Sequence, residues 1–413
     1  MNDYKTIYIK EWSKLSAEFI KNKYNVIELT KNDFNILSQL ENKIKITQLA
    51  RGIEIESNSY VGVIKLNKFQ LIIKPKMKNT HLAKMVAFAY DLHNIDILDE
   101  NITLGAEKAD ISDIIAVILL QQTEKLYYQG LRKRYQEKEE EIRSCRGKIN
   151  FNRLAKNSFT SLTLPCRFQE LTVDIEENQI VLSALKMLMP NINNSELRKR
   201  INKLFSLLNN EVTLKNFNEE LLKQAYNKID RLNNNYQNIF KVIKLLLTNK
   251  DFNLIRSKNH DFIGFLLDMN LLFERFLYQY FKKNLCSDLK IKYQKSLKNI
   301  FQVDNFKNTN LTPDYQFYEN AKLKKIADAK YKNYQDKKVS ANDLYQLSTY
   351  AFANQEKIDQ VYLFYPAAAM KSDNYFLKNN SRNTEIKITA KGIDLEKILA
   401  SIDNNNIEIE IFD

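Results

Sequence analysis

The segment Leu311-Thr-Pro-Asp-Tyr-Gln-Phe-Tyr318, followed by Leu323-Lys-Lys-Ile-Ala-Asp-Ala-Lys330, decides how the last third of the chain folds. Its first half predicts a strand that is entered through a proline, and its second half predicts a returning strand. Between them, Glu319-Asn-Ala-Lys322 has the length and composition of a turn. The segment therefore predicts a β-hairpin.

This hairpin would bring charged side chains to one point. Successive side chains of a strand point to opposite faces, so Asp328 and Lys330 project from one face, whereas Ala327 and Ala329 project from the other. Asp314 lies at the start of the partner strand, where its carboxylate can converge with that of Asp328. The hairpin thus predicts two carboxylates and one ammonium group close together.

Such a group of side chains suits the hydrolysis of phosphodiesters. The reaction needs a hard cation that neutralises charge and activates water, and two convergent carboxylates provide oxygen ligands for it. We expect Asp314 and Asp328 to bind Mg²⁺, for which Mn²⁺ can substitute, with the carbonyl of Ala329 as a further ligand. The ammonium group of Lys330 can orient the attacking water and stabilise the developing negative charge.

An acidic residue two positions before a lysine is weak evidence in a lysine-rich chain. The same spacing occurs at Glu41–Lys43, Asp288–Lys290, Asp336–Lys338 and Glu385–Lys387. The pair at Asp328 is distinguished by the apolar approach Ile326-Ala327, the small Ala329, and Pro313-Asp314 across the turn. Without these features, a surface hairpin with an incidental ion pair is the simpler interpretation.

Two helical segments flank the hairpin. A long apolar helix is predicted from about Phe262 to Phe281, and Glu274 interrupts its apolar pattern. Downstream, Gln346 and Tyr350 are four residues apart, which places them on one helical face where both can touch a phosphate backbone. The alternatives are a surface glutamate that pairs with a neighbour on its own helix, and an ordinary polar helix edge.

The composition of the chain indicates a folded protein with a polyanionic partner. Its 413 residues exceed a single hydrophobic core and predict two or three domains. The net charge is +13, and residues 281–340 alone contain 14 lysines against six acidic residues. Basic side chains that neutralise phosphates gain affinity by releasing counterions, so the partner is expected to be a polyanion. An AT-rich genome would also enrich lysine, which weakens the argument from overall charge.

The pattern along the chain predicts an α+β multidomain protein. We expect a β-rich domain over residues 1–105, a mainly helical connecting region over 106–250, and an α/β domain with a mixed central sheet over 251–413. The charge-dense stretch Arg132–Arg143 is expected to be a solvated helix face or a domain boundary. The predicted strands of the first region are Thr6–Ile9, Asn25–Leu29, Ile44–Thr47, Gly52–Ile55, Tyr60–Ile64 and Phe69–Ile73.

The cell compartment follows from what the sequence lacks. Its three cysteines are odd in number and have no CxxC spacing, which favours a reducing cytosol. The first residues do not contain a basic region followed by an apolar stretch, and apolar runs such as Ile114–Leu120 are too short to span a bilayer. We therefore expect a cytoplasmic protein without a membrane partner.

Taken together, Pro313-Asp314, Asp328-Ala-Lys330, the upstream Glu274 and the downstream Gln346-x-x-x-Tyr350 resemble the RecB-like branch of the PD-(D/E)XK nucleases. The resemblance covers about residues 262–366. It implies Mg²⁺-dependent DNA cleavage with Asp314, Asp328 and Lys330 as core catalytic residues. Glu274, Gln346 and Tyr350 would be accessory.

A second resemblance, to the McrC family, extends over nearly the whole chain. The segments that carry it are Tyr60-Val-Gly-Val-Ile-Lys65, Leu71-Ile-Ile-Lys-Pro-Lys76, Arg146-Gly-Lys-Ile149, and Phe168-Gln-Glu-Leu-Thr-Val-Asp174 with Asn178. McrC proteins are nuclease subunits of modification-dependent restriction systems and work with McrB, a hexameric AAA+ GTPase that recognises and translocates DNA. The resemblance implies such a partner, contacted by residues 1–105.

Two features bear on how such a complex would work. The chain has no G-x-x-x-x-G-K-[ST] loop, so nucleotide hydrolysis would belong to the partner. One nuclease centre hydrolyses one strand, so a double-strand break would need two such subunits brought together. The predicted hairpin Tyr60–Lys74 is either an ordinary part of a sheet or an element inserted into the partner.

Two other functions stay open at this point. The chain could be a stand-alone PD-(D/E)XK nuclease in DNA repair or phage defence, in which case its β-rich region would bind DNA directly. It could also be a non-catalytic activator of an NTPase with a degenerate nuclease fold. The intact set of Asp314, Asp328 and Lys330 argues against the second option.

Overall fold

The computed structural model describes most of the chain. The described residues are 5–40, 42–92, 110–155, 162–231, 233–248, 252–256, 262–285, 289–301, 309–332, 334, 338–353, 358, 360–379 and 384–403. Contacts divide the chain into two units. Unit 1 comprises residues 1–111, 250–259 and 263–413, and unit 2 comprises residues 112–249 with 260–262.

The N-terminal part of unit 1 is rich in strands, as predicted. Its elements are β1 (Lys5–Lys10), β2 (Lys14–Leu15), α1 (Ala17–Tyr24), α2 (Lys31–Leu37), β3 (Ile44–Leu49), β4 (Gly52–Ser57), β5 (Tyr60–Lys65), β6 (Phe69–Lys74) and α3 (Asn79–Ala89). The strand predicted at Asn25–Leu29 is wrong. Asn25 ends α1 in the left-handed conformation, and the side chain of Gln48 bonds to the backbone of Ile27 and Leu29 in place of a partner strand.

Unit 2 is mainly helical, with one exposed β-ribbon. Its elements are α4 (Ile111–Gln129), β7 (Arg134–Ile142), β8 (Lys148–Ile149), α5 (Phe151–Leu154), β9 (Leu164–Thr172), α6 (Glu176–Leu188), α7 (Ser195–Asn209), α8 (Glu219–Asn227) and α9 (Tyr236–Thr248). Two cysteines that are well separated in sequence meet in the ribbon, where the Sγ atoms of Cys145 and Cys166 lie 3.9 Å apart.

The expected helix at Arg132–Arg143 is wrong, because most of this stretch forms β7. Each residue from Arg134 to Ile142 pairs with a residue of β9 in an unbroken antiparallel register. Ion pairs such as that between Lys138 and Glu170 join the two strands. The sequence correctly predicts that this stretch is charged and exposed. It does not predict the extended conformation, because the partner strand β9 lies beyond a loop.

The C-terminal part of unit 1 alternates strands and helices. Its elements are β10 (Phe252–Arg256), β11 (Phe262–Asp268), α10 (Met269–Asn284), β12 (Leu289–Tyr293), β13 (Leu297–Phe301), β14 (Thr309–Leu311), β15 (Tyr315–Glu319), β16 (Lys322–Ala329), α11 (Ala341–Phe352), β17 (Gln360–Ala367), β18 (Lys371–Asn379), β19 (Thr384–Asp394) and α12 (Leu395–Asp403). The helix predicted over 262–281 is thus correct only from Met269 onward. Asp268 caps α10 by accepting a hydrogen bond from the backbone of Asn270.

Two sheets organise unit 1. A five-stranded sheet has the order β1-β6-β5-β11-β10, in which β1 is parallel to β6 and the hairpin β5–β6 is antiparallel. A six-stranded sheet has the order β12-β15-β16-β17-β19-β18. Its strands β16, β17 and β19 are parallel, and its other neighbours are antiparallel, so the predicted mixed sheet is confirmed.

The hairpin predicted at 311–330 is also confirmed. Strands β15 and β16 pair with Tyr315 opposite Ala327, and the turn residues Asn320 and Ala321 both have positive φ, at 48° and 63°. Two left-handed residues in succession give the twist that two-residue hairpin turns need.

Unit 1 joins regions that the sequence analysis assigned to separate domains. Strand β11 of the C-terminal part pairs antiparallel with β5 of the N-terminal part. A pairing across about two hundred residues leaves no periodic signal in either strand. Within the part of the chain that the structure describes, no helix is long and apolar enough to cross a bilayer.

Gly62 allows β5 and β11 to approach each other, and we expect Gly62→Ala to destabilise unit 1. Gly62 has a φ of +146°, and a β-carbon there would lie 2.0 Å from the carbonyl oxygen of Phe265. The clash is with backbone, so the loss of unfolding free energy should be about 3 kcal/mol or more. Thermal and denaturant unfolding of the wild type and of Gly62→Ala measure this loss of unfolding free energy.

Gly130→Ala is the matched control for this substitution. Gly130 also has a positive φ, of +98°, but nothing lies within 4 Å of a β-carbon added there. Gly130→Ala should therefore lower the free energy of unfolding only by the cost of holding alanine in a left-handed conformation, about 1–2 kcal/mol. Equal losses from the two substitutions would show that β5 and β11 do not approach this closely.

Candidate active site

The predicted site residues lie at one edge of the six-stranded sheet. Lys330 directly follows β16, and its backbone N–H donates to the carbonyl of Phe364 in β17 (2.9 Å). Asp314 directly precedes β15, which runs antiparallel to β16, so both residues reach the same edge. The backbone N–H of Ala329 donates to Oδ2 of Asp314 at 2.8 Å. This bond fixes the carboxylate of Asp314 against the end of β16.

Asp328 and Lys330 form an ion pair at this edge. Nζ of Lys330 lies 2.5 Å from Oδ2 of Asp328, which agrees with their prediction on one face of the strand. Asp328 is almost fully buried, and its Oδ2 makes no hydrogen bond of good geometry in addition to the ion pair. Burial alone would lower the pKa of Lys330, but the charges of Asp328 and Asp314 raise it above the ordinary value. Lys330 is therefore a cation at neutral pH.

Glu274 completes the acidic group from the side of α10. Its Oε2 accepts a hydrogen bond from Nε2 of Gln294 (3.2 Å), and its backbone carbonyl accepts one from the hydroxyl of Tyr315 (2.7 Å). Burial, followed by the charge of Asp328, raises the pKa of Glu274 to about 7. Burial and the charges of Asp328 and Glu274 also raise the pKa of Asp314 well above its ordinary value.

These raised pKa values show that three carboxyl groups repel one another in a partly buried space. A divalent cation between them would relieve the repulsion, and an all-oxygen donor set suits a hard ion such as Mg²⁺. Among the described residues, no three acidic, histidine or cysteine side chains converge closely enough to hold an ion by themselves. Asp314 and Asp328 fit part of such a donor set, and the carbonyl of Ala329 as a further ligand stays a prediction.

The predicted pair on α11 also reaches this edge. Nε2 of Gln346 donates to the hydroxyl of Tyr350 at 2.6 Å, and that hydroxyl is 3.4 Å from the carbonyl of Thr312, two residues before Asp314. Burial, followed by the charge of Asp328, raises the pKa of Tyr350 to about 12. The structure thus brings all the predicted side chains together, and their roles in catalysis stay predictions.

Sequence analysis missed two residues that hold the site. Gln294 follows β12 in the left-handed conformation, with a φ of 47°, and its backbone N–H donates to the carbonyl of Asp314 (2.9 Å). Tyr315 is fully buried beneath Glu274. Their adjacency to the site depends on the pairing of β12 with β15, which the local sequence pattern does not indicate.

Two lysines contact Tyr318, which lies four residues beyond Asp314 on β15. Nζ of Lys292 lies 4.3 Å and Nζ of Lys295 lies 5.4 Å from the ring centre of Tyr318, and Lys295 also approaches the hydroxyl of that tyrosine at 3.5 Å. Neither lysine has a carboxylate within ion-pair distance among the residues that the structure places. Both ammonium groups are therefore available to an anionic ligand.

Most of the chain matches a known protein family. Residues 55–366 match the family model described as McrBC 5-methylcytosine restriction system component. The chain belongs to this family. The matched region covers well over half of the chain and includes the hairpin, Glu274 and the helix with Gln346 and Tyr350.

Members of McrBC complexes also resemble the chain in fold. A chain of the half-complex from the tetradecameric assembly of Thermococcus gammatolerans McrB AAA+ hexamers with bound McrC is 17% identical, with a TM-score of 0.65. The alignment covers 97% of this chain and 100% of that one, so the likeness in fold extends over both units. A chain of the Thermococcus gammatolerans McrBC complex, solved by cryo-electron microscopy, is 19% identical over 68% of this chain and 89% of that one, with a TM-score of 0.47. No curated protein matches the chain.

Proposed function

We propose that this chain is the DNA-cleaving subunit of a McrBC-like, modification-dependent restriction system. It would act as a Mg²⁺-dependent endonuclease together with an AAA+ GTPase hexamer. The observation that supports this most directly is the convergence of Asp314, Asp328 and Lys330 at one sheet edge, in a chain of the McrBC family.

Each residue of the site has a chemical task in this proposal. Asp314 and Asp328, with the carbonyl of Ala329, would hold the metal ion. When bound, the ion neutralises charge on the phosphate and makes water nucleophilic near neutral pH. Lys330 orients the attacking water and stabilises the negative charge that develops on the phosphate. Glu274, whose pKa is about 7, can take up a proton at neutral pH.

The charges around the site support DNA as the substrate. Lys292 and Lys295 stand at the same edge as Gln294, which bonds to both Asp314 and Glu274. Cations at this position can bind phosphates on either side of the phosphodiester that is cut. They add to the strongly basic balance of residues 281–340.

The partner is proposed from the family and from the fold. A solved chain with a similar fold belongs to an assembly of McrB AAA+ hexamers with bound McrC, and this chain has no nucleotide-binding loop of its own. The hairpin Tyr60–Lys74 cannot be inserted into the partner, because β5 and β6 are buried strands of the five-stranded sheet. Docking through residues 1–105 would instead use exposed apolar side chains, among them Phe19, Ile27, Phe34 and Leu49.

The ribbon of unit 2 is the competing docking surface. Tyr135 and Leu171 are direct cross-strand neighbours on β7 and β9, and both are exposed. An exposed apolar pair on a long ribbon is typical of an element that is covered by a partner. The N-terminal apolar residues and this pair can therefore be tested against each other.

We expect the purified chain to cut plasmid DNA poorly alone, and to cut about 10- to 100-fold faster with the AAA+ GTPase and GTP, the usual range of coupling between sites. A single centre hydrolyses one strand, and the chain has no means of translocating to a second copy. The formation of linear plasmid over time measures the effect. Equal rates with and without the GTPase would instead support the stand-alone nuclease.

Two sets of substitutions separate the docking surfaces. Ile27→Ser with Phe34→Ser changes the N-terminal surface, and Tyr135→Ser with Leu171→Ser changes the ribbon. Phe376→Ser, at an exposed position of β18, is the control. Loss of GTPase co-purification and of stimulated GTP turnover only in the first set supports docking through residues 1–105. Loss only in the second set assigns docking to the ribbon.

A further inference from the structure

A cavity of about 530 Å³ opens beside the candidate active site, within unit 1. One wall lies at the carboxyl ends of the parallel strands β16, β17 and β19, and contains Tyr331, Lys332, Ala367 and Asp394. The other wall follows the carboxyl ends of the parallel strands β1 and β6, and contains residues such as Trp12. Ligands of open α/β sheets bind outside the carboxyl ends of the strands. The cavity is therefore placed where this architecture builds binding sites.

The cavity is connected to the catalytic strand through a buried carboxylate. Tyr331 and Lys332 directly follow Lys330 in the chain. Oε1 of Glu11, which is fully buried, accepts hydrogen bonds from the hydroxyl of Tyr331 (3.0 Å) and from the backbone N–H of Lys76 (2.7 Å). Glu11 thus links the two walls of the cavity through hydrogen bonds. A ligand in the cavity would be held at a fixed position relative to Lys330.

Trp12 presents its indole at this cavity. It is the only tryptophan in the chain, and 43% of it is exposed. Its backbone is left-handed, with a φ of 54°, and its N–H donates to the carbonyl of Asn58 at 3.1 Å. A bulky residue in this conformation is strained, and such strain persists mainly where a site requires it. An indole that served only the core would be covered.

The chemistry of the walls suits a nucleobase. Bases have flat apolar faces, for which the cavity offers the indole of Trp12 and the apolar residues Met77, Pro366 and Leu395. Bases also have polar edges, and Asp394 can accept hydrogen bonds from exocyclic amino groups. The volume lies in the usual range for pockets that enclose a molecule of nucleotide size.

The charge of the rim suits the phosphates on either side of such a base. Three lysines line the cavity, Lys76, Lys332 and Lys397, against the two carboxylates of Asp394 and Glu396, so its lining has an excess of one positive charge. Lys332 is held by an ion pair with Asp343 (3.1 Å), which fixes its stem at the wall. Lysines that are placed along an aromatic platform are the usual arrangement for binding single-stranded nucleic acid.

We propose that this cavity binds the unpaired base of a nucleotide adjacent to the phosphate that is cut, with Trp12 stacked on the base. The lysines of the rim contact the flanking phosphates. This inference rests on the proposed function for its ligand, and it adds that the strand is unpaired next to the cut. The cavity thereby determines which phosphodiester of the strand lies at Asp314, Asp328 and Lys330.

The fluorescence of Trp12 tests the proposal directly, because the chain has no other tryptophan. The full chain is titrated in chelator, where it does not cut, with a labelled single-stranded oligonucleotide and with an abasic oligonucleotide of equal length. Anisotropy of the label measures binding, and tryptophan emission measures stacking. We expect the base-containing oligonucleotide to quench the emission and the abasic one to bind without quenching it.

Substitution of Trp12 provides a second readout. Trp12→Ala should weaken binding of the base-containing oligonucleotide by about 5- to 100-fold, which is the range for loss of one stacked base, and Trp12→Phe should restore most of it. Binding of the abasic oligonucleotide should be unaffected. In cleavage, Trp12→Ala should raise KM with little change in kcat. Phe376→Ala, which removes an exposed aromatic side chain on β18, is the control.

Four results would overturn the proposal. Equal quenching by the abasic oligonucleotide, or binding without quenching, would mean that no base stacks on Trp12, while leaving the proposed cleavage of DNA intact. Quenching by a free deoxynucleoside monophosphate with the affinity of the oligonucleotide would assign the cavity to a free nucleotide. No binding of either oligonucleotide would contradict this inference, whereas the proposed cleavage of duplex DNA is tested separately on plasmid.

Discussion

Replacing either Asp328 or Lys330 with Ala is expected to abolish DNA cleavage, with a fall in rate of at least about 10³-fold. Asp328 and Asp314 are the two carboxylates that would hold the metal ion, and Lys330 is the cation nearest to them. Asp328→Ala breaks the ion pair with Lys330, but it also removes a negative charge that raises the pKa of Asp314 and Glu274, and Lys330 keeps the nearby charge of Asp314, so the loss of stability should be small. Plasmid nicking assays and thermal unfolding, run on the same preparations, separate the two effects.

Lys330→Ala needs a companion variant, because it leaves the buried Asp328 without its ion-pair partner. Removing one partner of a buried pair destabilises by about 3–5 kcal/mol when the other charge stays uncompensated. Lys330→Gln has a shorter, uncharged side chain but keeps a hydrogen-bond donor for the carboxylate of Asp328, so it should lose less stability than Lys330→Ala, and Asp328→Asn keeps the shape of its side chain. Both should fold normally, assemble with the GTPase and fail to cut.

An exposed ion pair in the same sheet provides the matched control. Nζ of Lys371 lies 3.2 Å from Oδ2 of Asp373 on β18. These two residues are separated by one residue in the sequence, as Asp328 and Lys330 are. Lys371→Ala and Asp373→Ala should cut at the rate of the wild type. The same is expected of Lys338→Ala in the Asp336–Lys338 motif, of which Asp336 lies outside the described residues. Cleavage by Asp328→Ala and Lys330→Ala at the wild-type rate would refute the site assignment.

The centre of this site could be predicted from the sequence because it is built from one hairpin. Once the turn at Asn320 and Ala321 is placed, strand alternation determines that Asp328 and Lys330 share a face. The antiparallel return then brings Asp314 to the end of β16, where Ala329 bonds to it. All of these relations involve residues fewer than twenty positions apart, so the local pattern contains them.

The sequence pattern failed where partners are distant in the chain. Strand β11 looked like the start of a helix because apolar residues fit either period, and only its pairing with β5 makes it extended. The charge-dense strand β7 depends in the same way on β9. Glu11 is the extreme example, since its carboxylate meets Tyr331 across most of the chain. Propensity and periodicity describe a segment and its neighbours, and neither describes which strand will pair with it.

Metal dependence is the other prediction with a large expected effect. Mg²⁺ or Mn²⁺ should support cleavage, and excess chelator should abolish it. Ca²⁺ should allow DNA binding without hydrolysis, because it takes six to eight oxygen ligands at longer distances than the octahedral shell of Mg²⁺. Cleavage of a labelled duplex with each ion, beside anisotropy of the same duplex, gives both quantities. Undiminished cleavage in excess chelator would contradict the prediction.

Metal binding should also be visible without any cleavage, because it is linked to the stability of the fold. The carboxyl groups of Asp314 and Glu274 are raised in pKa by burial and by the charge of Asp328, so an ion that offsets this repulsion binds the folded chain preferentially. An ion present at a hundred times its dissociation constant stabilises the folded state by about 2.7 kcal/mol, which raises the melting temperature. Asp328→Asn removes one ligand, so its melting temperature should not respond to Mg²⁺ or Mn²⁺. A rise in that variant equal to the rise in the wild type would place the ion elsewhere in the chain.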